Sequence, residues 1–289
     1  MLFRSWKETV RKSGKFKWRT FKEEPSKRFP IKVANNLYIH RKYGKKIYKE
    51  IAESPLNEKP GYVYSDLSFI LAPKVVENIT GQEFESYLKE KIYNPIGATS
   101  LTFNPYKYYK PSQVVPTEYE PHFRKQLLHT TVHDEGAAML GGVSGHAGLF
   151  GNANDVAKLM QLYLNDGTYA KKTYIGGNAV SEFSKCQFCD QGNYRALGFD
   201  RPAKPGAQNS NAAPSAPAES FGHSGFTGTY AWVDPVNKLV YVFLSNRVNP
   251  TRENPKLSKL NTRTNALQVV YDAIEKSKTA KPDTSTVSQ

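Results

Sequence analysis

The sequence predicts a mixed α/β chain in which an antiparallel hairpin is accompanied by several amphipathic helices. Two β-rich runs, residues 230–235 and 239–245, flank a turn built on Pro235 and Asn237, the pattern of a hairpin. Apolar residues recur at helical spacing over residues 66–80, about 82–93, 152–164 and 262–274. At 289 residues and 39% hydrophobic content the chain can bury a substantial core. No run of 18 or more apolar residues is present, so no transmembrane helix is expected.

Taken in order, residues 1–46 show poor periodicity, many charges and Pro25 and Pro30, which predicts loops and short helices. A short helix is expected from Lys45 to Ala52. The next, over 66–80, has Asp66 as N-cap, Gly81 as stop and Pro73 as a kink. Another runs from about Gln82 to Tyr93 and ends at Asn94-Pro95. Residues 99–135 read as extended loop, and residues 136–151 are glycine-dense. The helix over 152–164 has Asn154 or Asp155 near its cap and ends at Asp166-Gly167. Residues 203–220, rich in Ala, Pro, Ser and Asn, predict a mobile low-complexity loop. Residues 276–289 predict a disordered tail.

The formal charge of +14 is unevenly spread: residues 1–50 hold 16 Lys and Arg against four Asp and Glu. This basic segment is interleaved with Phe3, Trp6, Phe16, Trp18 and Phe21, yet no groove-reading motif accompanies it. It is read as a solvated surface with aromatic anchors, and nucleic acid is not expected as a partner. The N-terminus is charged and lacks an apolar core, so no signal peptide is expected in this chain. Cys186 and Cys189 form a single C-x-x-C. Without a second pair a structural zinc site is not expected, which leaves a local disulfide or two free thiols.

The chemistry concentrates in two places. His223-Ser224-Gly225 precedes the hairpin with three glycines in eight positions, which suggests close approach to a strand backbone. Tyr64-Ser65-Asp66 lies between the Lys59-Pro60-Gly61 turn and a helix start. Together these resemble the serine β-lactamase and penicillin-binding-protein superfamily, in its class C-like and esterase-like branch. That family carries Ser-x-x-Lys, then Tyr-x-Asn or Ser-x-Asn, then Lys-Thr-Gly. Tyr64-Ser65-Asp66 matches the second motif with Asp for Asn, and His223-Ser224-Gly225 the third with His for Lys and Ser for Thr. The run from Gly141 to Phe150, the stretch Tyr93-Asn94-Pro95-Ile96-Gly97 and the residues from Phe221 to Thr229 also look like this branch. The resemblance covers about Gly61 to Ile274. It implies a β-lactamase-like antiparallel sheet flanked by helices with a helical lobe, truncated at its N-terminal side. Residues 1–60 would be a basic segment of that lobe and 61–275 the β-lactamase-like domain.

The first motif is the departure. The chain's one Ser-x-x-Lys, Ser86-Tyr87-Leu88-Lys89, follows Tyr64 instead of preceding it, and Ser86 is read as a surface helix residue. The resemblance therefore implies a serine hydrolase whose nucleophile lies on a missing N-terminal segment, itself a required partner. Serine acyl transfer needs a base for the hydroxyl proton. The resemblance gives that part to Tyr64, and to His223 the charge that favours its phenolate, available only when the imidazole is protonated. Asp66, Ser224 and Gly225 would support them, and the backbone N–H of Phe226 would be one oxyanion donor. Tyr64 and His223 are expected to converge on one cleft. His146 reads as a packed, hydrogen-bonded loop residue, and His133-Asp134 as structural. No metal or cofactor is implied. The substrate would be an amide or ester: a β-lactam, a peptidoglycan stem peptide or a small ester. The location expected from the family is periplasmic or otherwise extracytoplasmic. The competing reading is a non-catalytic module that binds cell-wall fragments on a degenerate β-lactamase fold.

Overall fold

A computed structural model describes residues 7–10, 13, 15–17, 19–56, 58, 61–203 and 211–279. Phe3, Trp6, Trp18, Lys59 and Pro60 lie outside them. The chain forms two compact units, Met1–Leu159 with Ser245–Glu253, and Met160–Leu244 with Asn254–Gln289.

In the first unit a short 3-10 turn, Lys7–Thr9, is followed by a three-stranded antiparallel sheet, where only loops and short helices were expected. Strands β1 (Phe21–Lys22), β2 (Ile31–Ala34) and β3 (Leu37–Ile39) lie in the order β1-β3-β2. Ile31-x-Val33 and Leu37-x-Ile39 alternate on either side of Asn35-Asn36, and Asn36 turns the chain with φ 51°. Asn accepts the left-handed conformation that such a hairpin turn requires. The strands were hard to see because Lys22, Lys32 and Tyr38 break up already short apolar runs. Val33, Ala34, Leu37 and Ile39 are buried with Ile47 and Ile51 of helix α1 (Tyr43–Ala52), four residues apart on one face. Each of the Val, Leu and Ile side chains among them contributes about 1.5–3 kcal/mol through burial.

Helix α2 (Leu67–Thr80) begins after Asp66 and ends on Gly81 with φ 68°. Pro73 sits inside it and supplies no N–H to the carbonyl of Phe69. Gly145 packs against that carbonyl so closely that a Cβ would strike it. Helix α3 (Phe84–Leu88) runs into a π-helical turn, Lys89–Tyr93, before Asn94-Pro95. The stretch expected as loop carries short paired strands. Strand β4 (Thr102–Phe103) pairs with β7 (Leu149–Phe150), and β5 (Tyr119–Glu120) with β6 (Gln126–Leu127). Helix α4 (Glu135–Met139) is capped by Asp134, whose carboxylate accepts from the Ala137 N–H at 2.7 Å. Helix α5 (Ala153–Leu164) carries the chain on into the second unit. Its cap bond comes from Asn152, which accepts from the Asp155 N–H at 2.9 Å, and not from Asn154 or Asp155.

The second unit holds a small hairpin, β8 (Thr168–Tyr169) with β9 (Lys172–Thr173), and helix α6 (Ala179–Ser184). Its main sheet is β10 (Phe221–Ser224), β11 (Tyr230–Asp234) and β12 (Leu239–Phe243), antiparallel in chain order. The fully buried Asp234 shapes the β11–β12 turn by accepting from the N–H groups of Val236 and Asn237. Helix α7 (Lys256–Lys259) leads to α8 (Thr262–Thr279), whose Leu267 and Tyr271 pack on Tyr230 and Trp232 of β11. Helix α8 passes the expected end at Ile274 and takes in residues 276–279, where a tail was predicted; residues 280–289 lie outside the described residues. Ala212 and Ala213, within the expected mobile loop, are buried in the same core. Cys186 and Cys189 form a disulfide.

Candidate active site

Strand β10 carries His223 and Ser224 of the stretch expected as the third motif. It pairs with β11 in the register Gly222↔Trp232, His223↔Ala231 and Ser224↔Tyr230. Its other edge is held at one point, where Asp200 and Gly222 exchange backbone bonds of 2.7 and 3.0 Å. Gly222 answers a close approach, but from inside the protein: a Cβ there would strike Ala231 O and the Trp232 ring. The half-buried His223 ring lies between two partners, with Nδ1 2.8 Å from the carbonyl oxygen of Ser224 and Nε2 3.1 Å from Nη2 of Arg195. Nη1 of Arg195 pairs with the buried carboxylate of Asp200, which also accepts from Asn211 Nδ2 at 2.9 Å. The backbone oxygen of Asn211 in turn accepts from the Tyr230 hydroxyl at 2.8 Å.

Beyond Ser224 the chain makes a tight turn. The Gly228 N–H donates to Gly225 O at 3.0 Å, and the Gly225 N–H to Thr229 O at 2.8 Å. A Cβ on Gly225 would strike the Thr229 hydroxyl. Arg263 of α8 donates from Nη1 to Gly225 O and Thr229 O, at 3.1 and 3.2 Å, and so ties the turn to the helix. Phe226 sits at the tip with its side chain exposed.

Tyr64-Ser65-Asp66, the stretch expected as the second motif, belongs to the first unit. Tyr64 lies in the irregular segment that leads into α2 and is 55% exposed. Asp66 takes the N-cap position without a side-chain capping bond, and Ser65 Oγ accepts from the Leu67 N–H at 3.3 Å instead. Ser86 is exposed on the five-residue α3.

Two other histidines, His146 and His133, lie in hydrogen-bonded polar groups of the first unit. His146 bridges Ser144 Oγ, 2.8 Å from Nδ1, and Asp134 Oδ1, 2.8 Å from Nε2. Ser144 is 3% exposed, which closes this serine to a substrate. His133 Nε2 lies 2.7 Å from the buried Glu118 carboxylate, which also accepts from Arg252 Nε and Nη2 and from its backbone N–H. Burial alone would raise the Glu118 carboxyl, but the Arg252 and His133 hydrogen bonds outweigh it and bring the pKa to about 2. Among the described residues no group of three His, Cys, Asp or Glu side chains is placed to share a metal ion. No helix among them is long and apolar enough to cross a membrane.

The sequence model of the beta-lactamase family matches residues 16–265. The chain belongs to the beta-lactamase family. The match starts well before Gly61, so the family pattern reaches into the basic N-terminal segment. The chain is also 36% identical over 227 residues to an Escherichia coli K12 protein named "Putative D-alanyl-D-alanine carboxypeptidase", covering 71% of this chain and 50% of that one. The chain spans about half the length of the curated relatives it matches. Among solved structures, a Mycobacterium bovis beta-lactamase superposes with TM-score 0.47 at 18% identity, covering 72% of this chain and 64% of that one. A penicillin-binding-protein homologue from Caulobacter crescentus gives TM-score 0.47 at 18% identity, covering 69% and 58%. Both scores stay below 0.5, so membership in the beta-lactamase family rests on the sequence matches alone.

Sequence reasoning named His223, Ser224, Gly225 and Phe226, and the structure strings these four along the end of β10 and its turn. It missed Arg195, Asp200 and Arg263. Arg195 lies 28 positions before His223, in no recognisable motif. The one signal was a histidine, His223, where the resemblance implies a lysine.

Proposed function

We propose that this protein contributes the second and third motifs of a serine acyl-transfer enzyme that removes the terminal residue from peptides ending in D-alanyl-D-alanine. The observation that carries the reading is the Arg195–His223 pair at the end of β10, a permanent cation on the third motif of a beta-lactamase-family chain. A peptide with a free C-terminus brings a carboxylate, and the guanidinium charge held behind His223 favours it at a distance, its two Nη groups being already engaged with Asp200 and His223. The carboxypeptidase name of a 36%-identical relative supports this substrate over a β-lactam or a small ester. The Cys186–Cys189 disulfide supports a location outside the cytoplasm, where disulfides persist.

In the reaction a serine hydroxyl attacks the carbonyl of the penultimate D-alanine and loses its proton to a base. The terminal D-alanine leaves as a protonated amine, and water then releases the acyl group. Tyr64 takes the part of the base, and the Phe226 N–H that of an oxyanion donor. The chain's one Ser-x-x-Lys is on exposed α3, after Tyr64, so the reading places the nucleophile outside these 289 residues.

The test is D-alanine release from diacetyl-L-lysyl-D-alanyl-D-alanine, by this chain and by a coding product that includes a Ser-x-x-Lys ahead of Tyr64. The longer protein should turn over and the 289-residue chain should not. Turnover by the 289-residue chain would refute the placement of the nucleophile, and its loss in Ser86→Ala would then make Ser86 that serine. Saturable binding of the peptide by the longer protein, with no turnover, would replace the enzyme by a cell-wall-fragment binding module. The missing first motif and the histidine in place of lysine are what favour that second reading.

A further inference from the structure

We propose that Arg195 is a positioning residue for His223: its guanidinium pins the imidazole as the neutral tautomer protonated on Nδ1, and itself carries the positive charge of the third motif. The inference rests on the reading of β10 as that motif, but its evidence is geometric. An arginine N–H can only donate, and the group is not deprotonated in proteins. Nε2 of His223, 3.1 Å from Arg195 Nη2, must therefore offer its lone pair. A backbone carbonyl can only accept, so Nδ1, 2.8 Å from Ser224 O, must hold the proton. One arrangement satisfies both contacts. An imidazolium would set N–H against N–H and one cation against another.

The guanidinium is itself held. Nη1 is paired with Asp200, whose carboxylate is buried and receives Asn211, and whose backbone is bonded twice to Gly222, the residue before His223. On the other side, the Arg195 N–H donates to Asn193 Oδ1 at 3.1 Å. Asn193 is bridged to Phe188, inside the segment closed by Cys186 and Cys189. Arg195 thus approaches His223 from a braced loop, and His223 acts as a spacer between that cation and the strand, not as the source of charge that its position suggested.

The tautomer is read directly by two-bond 1H–15N correlation of the 15N-histidine-labelled full chain at neutral pH. The His223 signal is assigned by its loss in His223→Gln. Wild type should show Nδ1 protonated and Nε2 bare, the minority pattern for a free imidazole. Arg195→Lys keeps a donor at Nε2 and should retain it. Arg195→Leu should lose the single-tautomer pattern, with Nε2 gaining a proton. A purely structural arginine would lower the melting temperature in Arg195→Leu and leave the His223 pattern unmoved, which would overturn the proposal. So would a wild-type His223 protonated on Nε2 or on both nitrogens, a result that needs no folded variant. Failure of the D-alanine release assay would leave this spectrum standing, so the two readings fail separately.

Discussion

Glu118→Gln removes the carboxylate on which Arg252 and His133 converge. In the fold the Glu118 carboxyl sits at about 2 against an ordinary 4.5, and each unit of difference corresponds to about 1.36 kcal/mol. The ionised carboxylate therefore contributes about 3 kcal/mol at neutral pH, in line with the ~3–5 kcal/mol lost when one member of a buried pair is removed. Because the folded value is the lower one, the unfolded chain binds more protons between the two. The contribution is complete above about pH 4.5 and is lost as pH falls towards 2. His133 acts in the same sense from a higher start. Burial, foremost, and the charge of Arg252 outweigh its bond to Glu118 and hold it below its usual 6.5, so its share of stability fades as pH falls below that value. Urea unfolding of wild type and Glu118→Gln, followed by a first-unit probe at pH 7, 4.5 and 3, measures both effects. The variant should lose about 3 kcal/mol at pH 7 and much of the wild-type slope between pH 4.5 and 3. A variant within about 0.5 kcal/mol of wild type at pH 7, the range of an ordinary surface change, would refute the reasoning.

Two further outcomes follow from packing. Gly222→Ala drives a methyl group into the β11 backbone and the Trp232 ring, and should cost about 1–3 kcal/mol in thermal unfolding and move the His223 resonances; unchanged stability would show that β10 can shift. Cys186→Ser opens a disulfide that spans a sequence separation of 3, and a loop that short limits the loss to about 2 kcal/mol by chain entropy, read as the difference in urea midpoint from wild type.

Local signals explain what was legible. Helix α2 showed its apolar spacing and its Gly81 stop, and the β11–β12 hairpin its alternating strands around Pro235 and Asn237. In each case the residues that fix the element lie within it. The β2–β3 hairpin was lost because three- and four-residue strands carry too little alternation against interspersed lysines. Helix α4 was hidden by Gly136, although Asp134 is a cap that could have marked it. Ala212 and Ala213 looked like linker because alanine shows its burial only when Tyr230, Trp232 and Leu267 are known to surround it. At the candidate site, motif residues adjacent in sequence were readable as a group. Arg195 and Arg263 were not, since each reaches its target across 28 or more positions and by one long side chain.

The return of residues 245–253 to the first unit sets an order on how the molecule can be made. Glu118 waits for a partner 134 positions later, at Arg252. At a synthesis rate of about 5–20 residues per second, that interval lasts roughly 7–27 seconds. Throughout it the Glu118 carboxylate of the nascent first unit has His133 but lacks Arg252, while the 160–244 segment emerges and can begin to pair β10 with β11. A ribosome-stalled chain ending before Arg252 should therefore be cut by protease within the earlier-made unit first.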